Sequence, residues 1–338
     1  MKKSNCKIAT QEIMGNILIV LPKFIGDAVN CTPSLKLLKV LYPNNEIFLL
    51  LRPNLVDLFS RTPDYSIIID ERFNHSKPIS ILTQAKILKA ANIQLAIIMR
   101  NSLSEAILCF LANIEYRVGY AKNGRSFLLT HKLKLNVNHH YIFRYCRLVN
   151  EPHDHPFNTI PNTALTKEPS LLITKTRKKS IGVYFGGKNK GLRHYPNELS
   201  FAAMASIAIK VDCVFYIFGD NSELDDAKQL HEQLNKQQID SVILAGKTSI
   251  ITMSDAISEL DLLLTIDSGP MHIAAAFNVP FVTVVGLGTS PWSVVAPKVN
   301  NYIALVANGN QLLESDIINE ITPTDISDAA LKLLLAKS

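Results

Sequence analysis

The chain has 338 residues, of which 47% are apolar and 19% are charged, so it can form two domains of about 150 residues, each with its own core. It contains no uninterrupted apolar run of about 18 residues, and its N-terminus has no apolar segment of signal-peptide length. Its five cysteines are dispersed without zinc-type spacing, which is typical of reduced cytosolic thiols. We therefore expect a cytoplasmic protein without a structural metal.

The two halves of the chain differ in charge. Residues 1–150 contain 20 Lys and Arg against 9 Asp and Glu, a net charge of +11, whereas residues 151–338 contain 15 against 20, a net charge of −5. A basic half predicts an anionic partner, such as nucleic acid, a phosphorylated glycolipid or a membrane surface. The alternative is a solvated surface that happens to be basic.

Short aliphatic runs alternate with segments of helical periodicity in the first half. The predicted strands are 16–21, 46–51, 66–69, 95–99 and 117–119, and the predicted helices include 28–41, 82–91 and 103–112. This alternation predicts an α/β unit, in which helices cover both faces of a parallel sheet.

A second α/β series follows a segment, 151–179, that is rich in Pro, Thr and Asn and reads as a linker. Its predicted strands are 180–185, 214–218, 242–245, 262–266 and 281–285. A last helix, 326–336, is predicted with Thr324 as its N-cap. We therefore predict two α/β domains, 1–165 and 175–322, that face each other across a cleft, and a C-terminal segment 323–338 that packs back toward the N-terminal domain.

The first candidate site is the segment PKFIGD, which ends in Asp27 at the junction of the first strand and its helix. Ligands bind at this edge of open α/β sheets, and a carboxylate there could accept the proton of an attacking hydroxyl. The alternative is that Asp27 caps the helix, because aspartate is a common N-cap residue.

Three candidate sites lie in the second half, each after a predicted strand. The segment DSGPMH starts at Asp267 and opens a helix whose free amides could bind a diphosphate. A glycine-rich loop with Lys188, Lys190 and Arg193 suits phosphate, although it lacks Walker spacing, and a basic surface loop is the alternative. Glu223 could accept hydrogen bonds from a ribose, or the segment could simply cap a helix.

Several of these segments resemble glycosyltransferase family 9, the heptosyltransferases. The resemblance is carried by KFIGD with the following Pro33 and Leu35, and above all by DSGPMHIAAAFNVP. Segments 100–102, 116–120 and 193–196 are similar as well. The resemblance implies a GT-B fold, which consists of two Rossmann-like domains. It also implies an ADP-heptose donor, specifically ADP-L-glycero-D-manno-heptose, an inner-core lipopolysaccharide acceptor, and transfer with inversion.

The resemblance also implies roles for individual residues. It puts the catalytic base on Asp27, the phosphate-binding cation on Arg193 and a ribose carboxylate on Glu223. The rest of the predicted donor site consists of Asp267 for the sugar hydroxyls, the backbone of Gly269, Pro270 and Met271 for phosphate, and the adjacent Ser268 and His272. The predicted acceptor contacts are residues of the basic half, namely Lys23, Arg100, Asn101, Arg117 and Arg125.

We expect no cofactor and no metal, because the cation and the amides would neutralise the leaving group. The expected partners are the nucleotide sugar, an anionic glycolipid and the inner leaflet of the inner membrane, which the basic domain would contact peripherally, but not nucleic acid. The sequence departs from the family at Gly286-Leu287-Gly288, where Gly-Pro-Thr is usual, and at Tyr195, where Trp is usual. The alternatives are another nucleotide-sugar donor, or a catalytically silent protein that binds a nucleotide sugar or glycolipid.

Overall fold

The computed structural model describes residues 7–186, 191, 193–288, 290–309 and 314–336. Contacts between Cα atoms divide the chain into two compact units, Met1–Thr166 and Lys167–Ser338. The division lies inside the segment that the sequence predicted as a linker. Each unit is built around one parallel sheet.

The first unit has six strands and five α-helices among its described residues. The strands are β1 (Asn16–Val20), β2 (Ile47–Leu51), β3 (Ser66–Ile69), β4 (Ile93–Ile98), β5 (Tyr116–Tyr120) and β6 (His131–Leu133), and the helices are α1 (Ile25–Leu41), α2 (Val56–Phe59), α3 (Ile81–Ala90), α4 (Leu103–Leu111) and α5 (Tyr141–Asn150). The strands are ordered β3-β2-β1-β4-β5-β6. The chain thus winds outward from β1 and then crosses to its other side, so that the topological switch point, where ligands bind in such sheets, lies between β1 and β4.

The second unit repeats this topology over its described residues. Its strands are β7 (Lys179–Tyr184), β8 (Cys213–Ile217), β9 (Ser241–Ile243), β10 (Leu262–Ile266), β11 (Phe281–Val285) and β12 (Tyr302–Val306), and its helices are α6 (Asn197–Ala208), α7 (Leu224–Lys236), α8 (Ile250–Ser258), α9 (Gly269–Ala276), α10 (Trp292–Val295) and α11 (Pro323–Leu335). The strands are ordered β12-β11-β10-β7-β8-β9. Its switch point lies between β7 and β10.

Helix α1 contains an internal proline, Pro33, which lacks the N–H that would bond to the carbonyl of Val29. The hydroxyl of Thr32 donates to this carbonyl at 2.8 Å and accepts from the backbone N–H of Ala164 at 3.1 Å. The freed carbonyl is therefore satisfied, and the same side chain ties the end of the first unit to α1.

The sequence patterns missed two strands and misplaced one cap. Strand β6 has only three residues, two of them His and Lys, so it shows no apolar period. Strand β12 was also not predicted, and its residues are only half-buried or exposed. Helix α11 begins earlier than predicted, because its N-cap is Thr322 rather than Thr324, with Asp325 completing a capping box.

Helix α11 packs against α6 and against β10, β11 and β12, all in its own unit. Its buried side chains include Ile326, Ala330 and Leu334, which form one apolar stripe at helical spacing. This stripe covers a face of the second sheet. That the segment 323–338 also packs back toward the N-terminal domain stays a prediction.

A buried ion network joins three loops at the carboxyl edge of the first sheet. Asp70, which follows β3, accepts two hydrogen bonds from Arg72, from Nε at 2.8 Å and from Nη2 at 2.9 Å. Arg100, which follows β4, donates from Nη1 to Asp70 at 2.8 Å and to Glu105 of α4 at 3.2 Å. Burial disfavours ionisation of Asp70, but the two guanidinium groups outweigh it and hold the pKa of that carboxyl below its ordinary value.

Replacing Asp70 by asparagine should destabilise the protein by about 3–5 kcal/mol, because it leaves buried guanidinium charge without its partner. The lowered pKa means that the Asp70 contribution is fully present above the unfolded-state pKa, near 4, and is lost as the pH falls through the folded-state pKa. Urea denaturation measured from neutral to acidic pH checks both effects. Asp64→Asn, at an exposed carboxylate of the same unit, is the matched control and should change stability little. An equal loss in the two variants would contradict the network.

Candidate functional site

Asp27 is the third residue of α1, directly beyond the loop that leaves β1. The N-cap of this helix is Phe24, whose side chain makes no capping hydrogen bond, so the alternative that Asp27 is the N-cap residue is wrong. The carboxylate lies near two buried groups, Cys31 one turn later and Tyr145 of α5. Burial is the main cause that raises the pKa of each, and the negative charge of Asp27 raises both further. Asp27 is thus a half-buried carboxylate at the switch point of the first sheet.

Lys23 is the exposed cation of the same loop. Its ammonium lies 4.4 Å from the ring centroid of Phe24, which is itself 60% exposed. A cation–π contact of this kind leaves the ammonium accessible to an anion.

Two of the arginines predicted to bind the acceptor, Arg100 and Arg125, are buried and bonded inside the first unit. Besides its ion pairs, Arg100 donates from Nε to the carbonyl of Leu21. Arg125 has no exposed surface, and its guanidinium donates to the carbonyls of Tyr120 and Arg100 and, at 2.9 Å, to Oδ1 of Asn101. Burial lowers the pKa of Arg125 to about 10. These donors hold the β4 and β5 loops together, which gives both arginines a structural role, and their contact with an acceptor stays a prediction.

Arg117 and Asn101 have a similar supporting role. Arg117 donates from Nε to the carbonyl of Leu128 at 2.7 Å and from Nη1 to the carbonyl of Ile114. Burial lowers the pKa of Arg117. The side-chain oxygen of Asn101 is used by Arg125, and its backbone carbonyl accepts from Asn123. Of the predicted acceptor contacts, Lys23 is exposed, whereas Asn101 and Arg117 are half-buried.

In the second unit, Asp267 follows β10 at the switch point with β7. The carboxyl is half-buried, and burial raises its pKa, whereas the positive charge of Arg193 lowers it. A β-carbon built on Gly288, in the loop after β11, would lie 3.0 Å from Oδ2 of Asp267. The loops that follow β7, β10 and β11 thus meet at this carboxylate. The contact between Gly288 and Asp267 could not be predicted from residue patterns, because the two residues follow different strands.

The N-terminus of α9 begins directly after Asp267. Ser268 is its N-cap residue, but the hydroxyl donates to the carbonyl of Ile266 at 3.2 Å and makes no capping bond. The backbone amides of the first turn, at Gly269 and Met271, are therefore not capped by the Ser268 side chain, and Pro270 has no amide hydrogen. Uncapped amides and the helix dipole together favour an anion at this end.

The side chains of Met271 and His272 are both buried, which does not suit direct contact with a ligand. Met271 is fully buried and His272 is 6% exposed, and His272 has an interaction within the protein. His272 is thus a satisfied histidine of the first turn of α9, and its contact with the donor stays a prediction.

The glycine-rich loop after β7 is only partly described, and the predicted phosphate contacts Lys188 and Lys190 lie outside the described residues. Arg193 is half-buried. The following His194 bonds through Nδ1 to the carbonyl of Gly186 at 3.0 Å. Tyr195 is fully buried, and its hydroxyl donates to the carbonyl of Ile321 at 2.7 Å. Arg193 is thus carried by a backbone that is anchored on its C-terminal side.

Glu223 is buried in the loop after β8, where it forms a capping box with Asp220. Its Oε2 accepts from the backbone N–H of Asp220 at 2.8 Å, and Asp220 Oδ1 accepts from the N–H of Ser222 at 2.8 Å. Tyr184, at the end of β7, also bonds to the Glu223 carboxylate. The capping interpretation of this segment is confirmed, and the ribose contact of Glu223 stays a prediction.

In the described part of the chain, no helix has the length and apolarity to cross a bilayer. No group of three or more His, Cys, Asp or Glu side chains among the same residues could hold a metal ion.

Known proteins match this arrangement. The model of glycosyltransferase family 9 (heptosyltransferase) matches residues 81–314. A lipooligosaccharide heptosyltransferase 2 of Campylobacter jejuni is 27% identical over 281 residues, which are 82% of this chain and 84% of that protein. The structure of E. coli ADP-heptose LPS heptosyltransferase II has a TM-score of 0.81 at 20% identity and covers 95% of this chain and 99% of its own. E. coli heptosyltransferase WaaC with ADP-2-deoxy-2-fluoro heptose has a TM-score of 0.69 at 16% identity and covers 93% and 98%.

The structural likenesses establish the GT-B fold class, with two Rossmann-like units. The family match extends over more than half of the chain and includes the donor-site segment that begins at Asp267. The chain therefore belongs to glycosyltransferase family 9, the heptosyltransferases, and is a glycosyltransferase.

Proposed function

We propose that the chain transfers heptose from ADP-L-glycero-D-manno-heptose to a hydroxyl of the lipopolysaccharide inner core, with inversion at the anomeric carbon. The observation that carries this proposal is the convergence of Asp267, the charge of Arg193 and the uncapped end of α9 at one switch point. A carboxylate that can accept from sugar hydroxyls thus lies beside a diphosphate-binding helix end. The names of the C. jejuni and E. coli relatives support the acceptor class and the heptose donor.

On the donor side, the protein would stabilise the departing ADP without a divalent cation. As the bond between the anomeric carbon and the β-phosphate oxygen breaks, negative charge develops on that oxygen. The amides at the start of α9 and the guanidinium of Arg193 would accept this charge. Asp267 would meanwhile hold the sugar through its hydroxyls. The protein would need no cofactor.

On the acceptor side, Asp27 would be the general base. The acceptor oxygen attacks the anomeric carbon from the face opposite the leaving phosphate, and its proton passes to the carboxylate of Asp27. One bond forms as the other breaks, so the configuration at this carbon inverts. The first turn of α1 holds the carboxylate on a rigid element, next to the exposed cation Lys23.

The same proposal gives the protein a place in the cell. An inner-core acceptor is an anionic glycolipid, and its synthesis would bring a cytoplasmic enzyme to the inner leaflet of the inner membrane. The excess of basic residues in the first half of the chain supports such a peripheral contact.

Replacing Asp27 by asparagine should lower turnover by about 10²–10⁴-fold, because the amide keeps the shape but cannot take the proton. Binding of ADP, measured by calorimetry, should be unchanged. The matched control is Asp57→Asn, which removes an exposed carboxylate from the first turn of α2 and should leave turnover intact. Near-normal transfer by a folded Asp27→Asn protein would remove Asp27 from the mechanism. Absence of transfer by the unaltered protein with every nucleotide sugar would instead favour a silent binding protein.

Replacing Arg193 by alanine should weaken ADP binding about tenfold or more, because a charge-assisted contact to the diphosphate is lost. Lys210→Ala, at an exposed cation of the same unit, is the control and should bind ADP normally. ADP should bind, and transfer should proceed, in the presence of EDTA. Activity that EDTA abolishes and Mg²⁺ alone restores would contradict a metal-independent mechanism.

Replacing Gly288 by alanine should raise the Michaelis constant for the nucleotide sugar about tenfold, since the new methyl group presses on the Asp267 carboxylate. Binding of ADP, which lacks the sugar, should be spared. Leu287→Ala, one residue earlier in the same loop, is the control for general disturbance of the loop. An equal loss for ADP and for the nucleotide sugar would mean that this contact does not concern the sugar.

A further inference from the structure

Arg52 is a guanidinium at the carboxyl edge of the first sheet that has no partner among the described residues. It directly follows β2, and its Cζ lies 3.8 Å from the ring centroid of Phe73. Its Nε is buried and makes no hydrogen bond. Buried N–H groups are almost always bonded, because an unmet donor is costly. The protein thus holds this guanidinium against an aromatic ring although no group in the described part of the chain accepts a hydrogen bond from it.

The cluster around Arg52 contains one uncompensated positive charge. Arg72 and Arg100 are each paired with Asp70 and Glu105, so these four charges cancel and the charge of Arg52 stays uncompensated. Burial lowers the pKa of Arg52, and the neighbouring charge of Arg100 lowers it further. An anion at this position would offset both the burial of the Arg52 charge and its repulsion by Arg100.

The position of the cluster relates Arg52 to the β1 loop. Arg100 donates to the carbonyls of Leu21, at the end of β1, and Leu50, in β2. Arg52 therefore lies one strand away from the loop that leads to Asp27, at the same edge of the same sheet. The determinants for the donor diphosphate belong to the second unit, which leaves an anion of the acceptor as the group that this edge would meet.

We propose that Arg52 binds a carboxylate or phosphate group of the acceptor and so helps to set acceptor specificity. The inference rests on the proposed transfer to an anionic inner-core acceptor. The ring of Phe73 supports one face of the guanidinium, and the edge of such a stacked guanidinium offers paired N–H donors that match the two oxygens of either group. Arg52 is a binding residue in this scheme and takes no part in bond breaking.

The test uses a lipid-free, deacylated inner-core oligosaccharide as the acceptor for the full chain and for Arg52→Gln. The variant should raise the Michaelis constant of this acceptor about tenfold or more, and should leave the turnover number and ADP affinity unchanged. Its acceptor affinity should also depend less on salt, since one charge pair is lost. Arg52→Lys keeps the positive charge but lacks the paired N–H donors of a guanidinium. Its Michaelis constant for the acceptor should therefore lie between those of the unaltered protein and Arg52→Gln. Lys86→Gln, at an exposed cation on α3, is the matched control.

Stability and direct binding separate the alternatives. If Arg52 only supported the fold, Arg52→Gln would lower the urea midpoint substantially; the proposal expects little loss, because the guanidinium gives up its contact with the Phe73 ring but no hydrogen bond or ion pair. An unchanged acceptor constant in a folded Arg52→Gln protein would overturn the inference while the proposed function stands. If the unaltered protein transfers no heptose, the proposed function fails, and calorimetric titration of the oligosaccharide still tests Arg52. Repeating that titration with dephosphorylated oligosaccharide identifies the anion: a persisting difference between the proteins assigns a carboxylate, and a lost difference assigns a phosphate.

Discussion

Burial of both faces of two parallel sheets is the constraint on which the rest of this structure depends. Strand β10 is buried at every residue, and β1 at all but the first, so none of their side chains is available to a ligand. Polar chemistry is therefore confined to the loops where strands end. At the switch points the neighbouring loops diverge to opposite faces, and the space between them is where Asp27 and Asp267 lie.

The same confinement explains why the structural role of the basic residues of the first half could not be predicted. Arg100, Arg117 and Arg125 have the chemistry and the loop positions of ligand contacts, and the sequence shows nothing more. Their partners are largely backbone carbonyls of distant residues, such as Leu21 and Leu128. Every residue has a backbone carbonyl, so residue types do not indicate which one will accept a hydrogen bond. The net charge of the first half thus overstates its surface charge, because several of its guanidinium groups are turned inward and join the loops at the carboxyl edge of the sheet.

Much of the fold was predictable because it follows from local periodicity. Aliphatic runs located ten of the described strands, whereas β6 was too short and polar to show a period. The role of Asp27 depended on where α1 begins. The helix was expected from residue 28 and starts at Ile25, which places Asp27 inside the first turn rather than at the cap. The contact between Gly288 and Asp267 joins different strand ends, so only the assembled sheet reveals it.

The second unit carries a carboxylate, that of Asp267, beside the proposed binding site of an anionic diphosphate. A carboxylate beside a diphosphate site would repel the ligand if nothing opposed it. Burial raises the pKa of Asp267, which makes its ionised form costly, and the charge of Arg193 acts in the opposite direction. In the proposed mechanism Arg193 therefore has two functions, to bind phosphate and to keep Asp267 ionised as an acceptor for sugar hydroxyls. Because backbone amides carry no net charge to be balanced, the second unit can bind ADP while its half of the chain remains acidic.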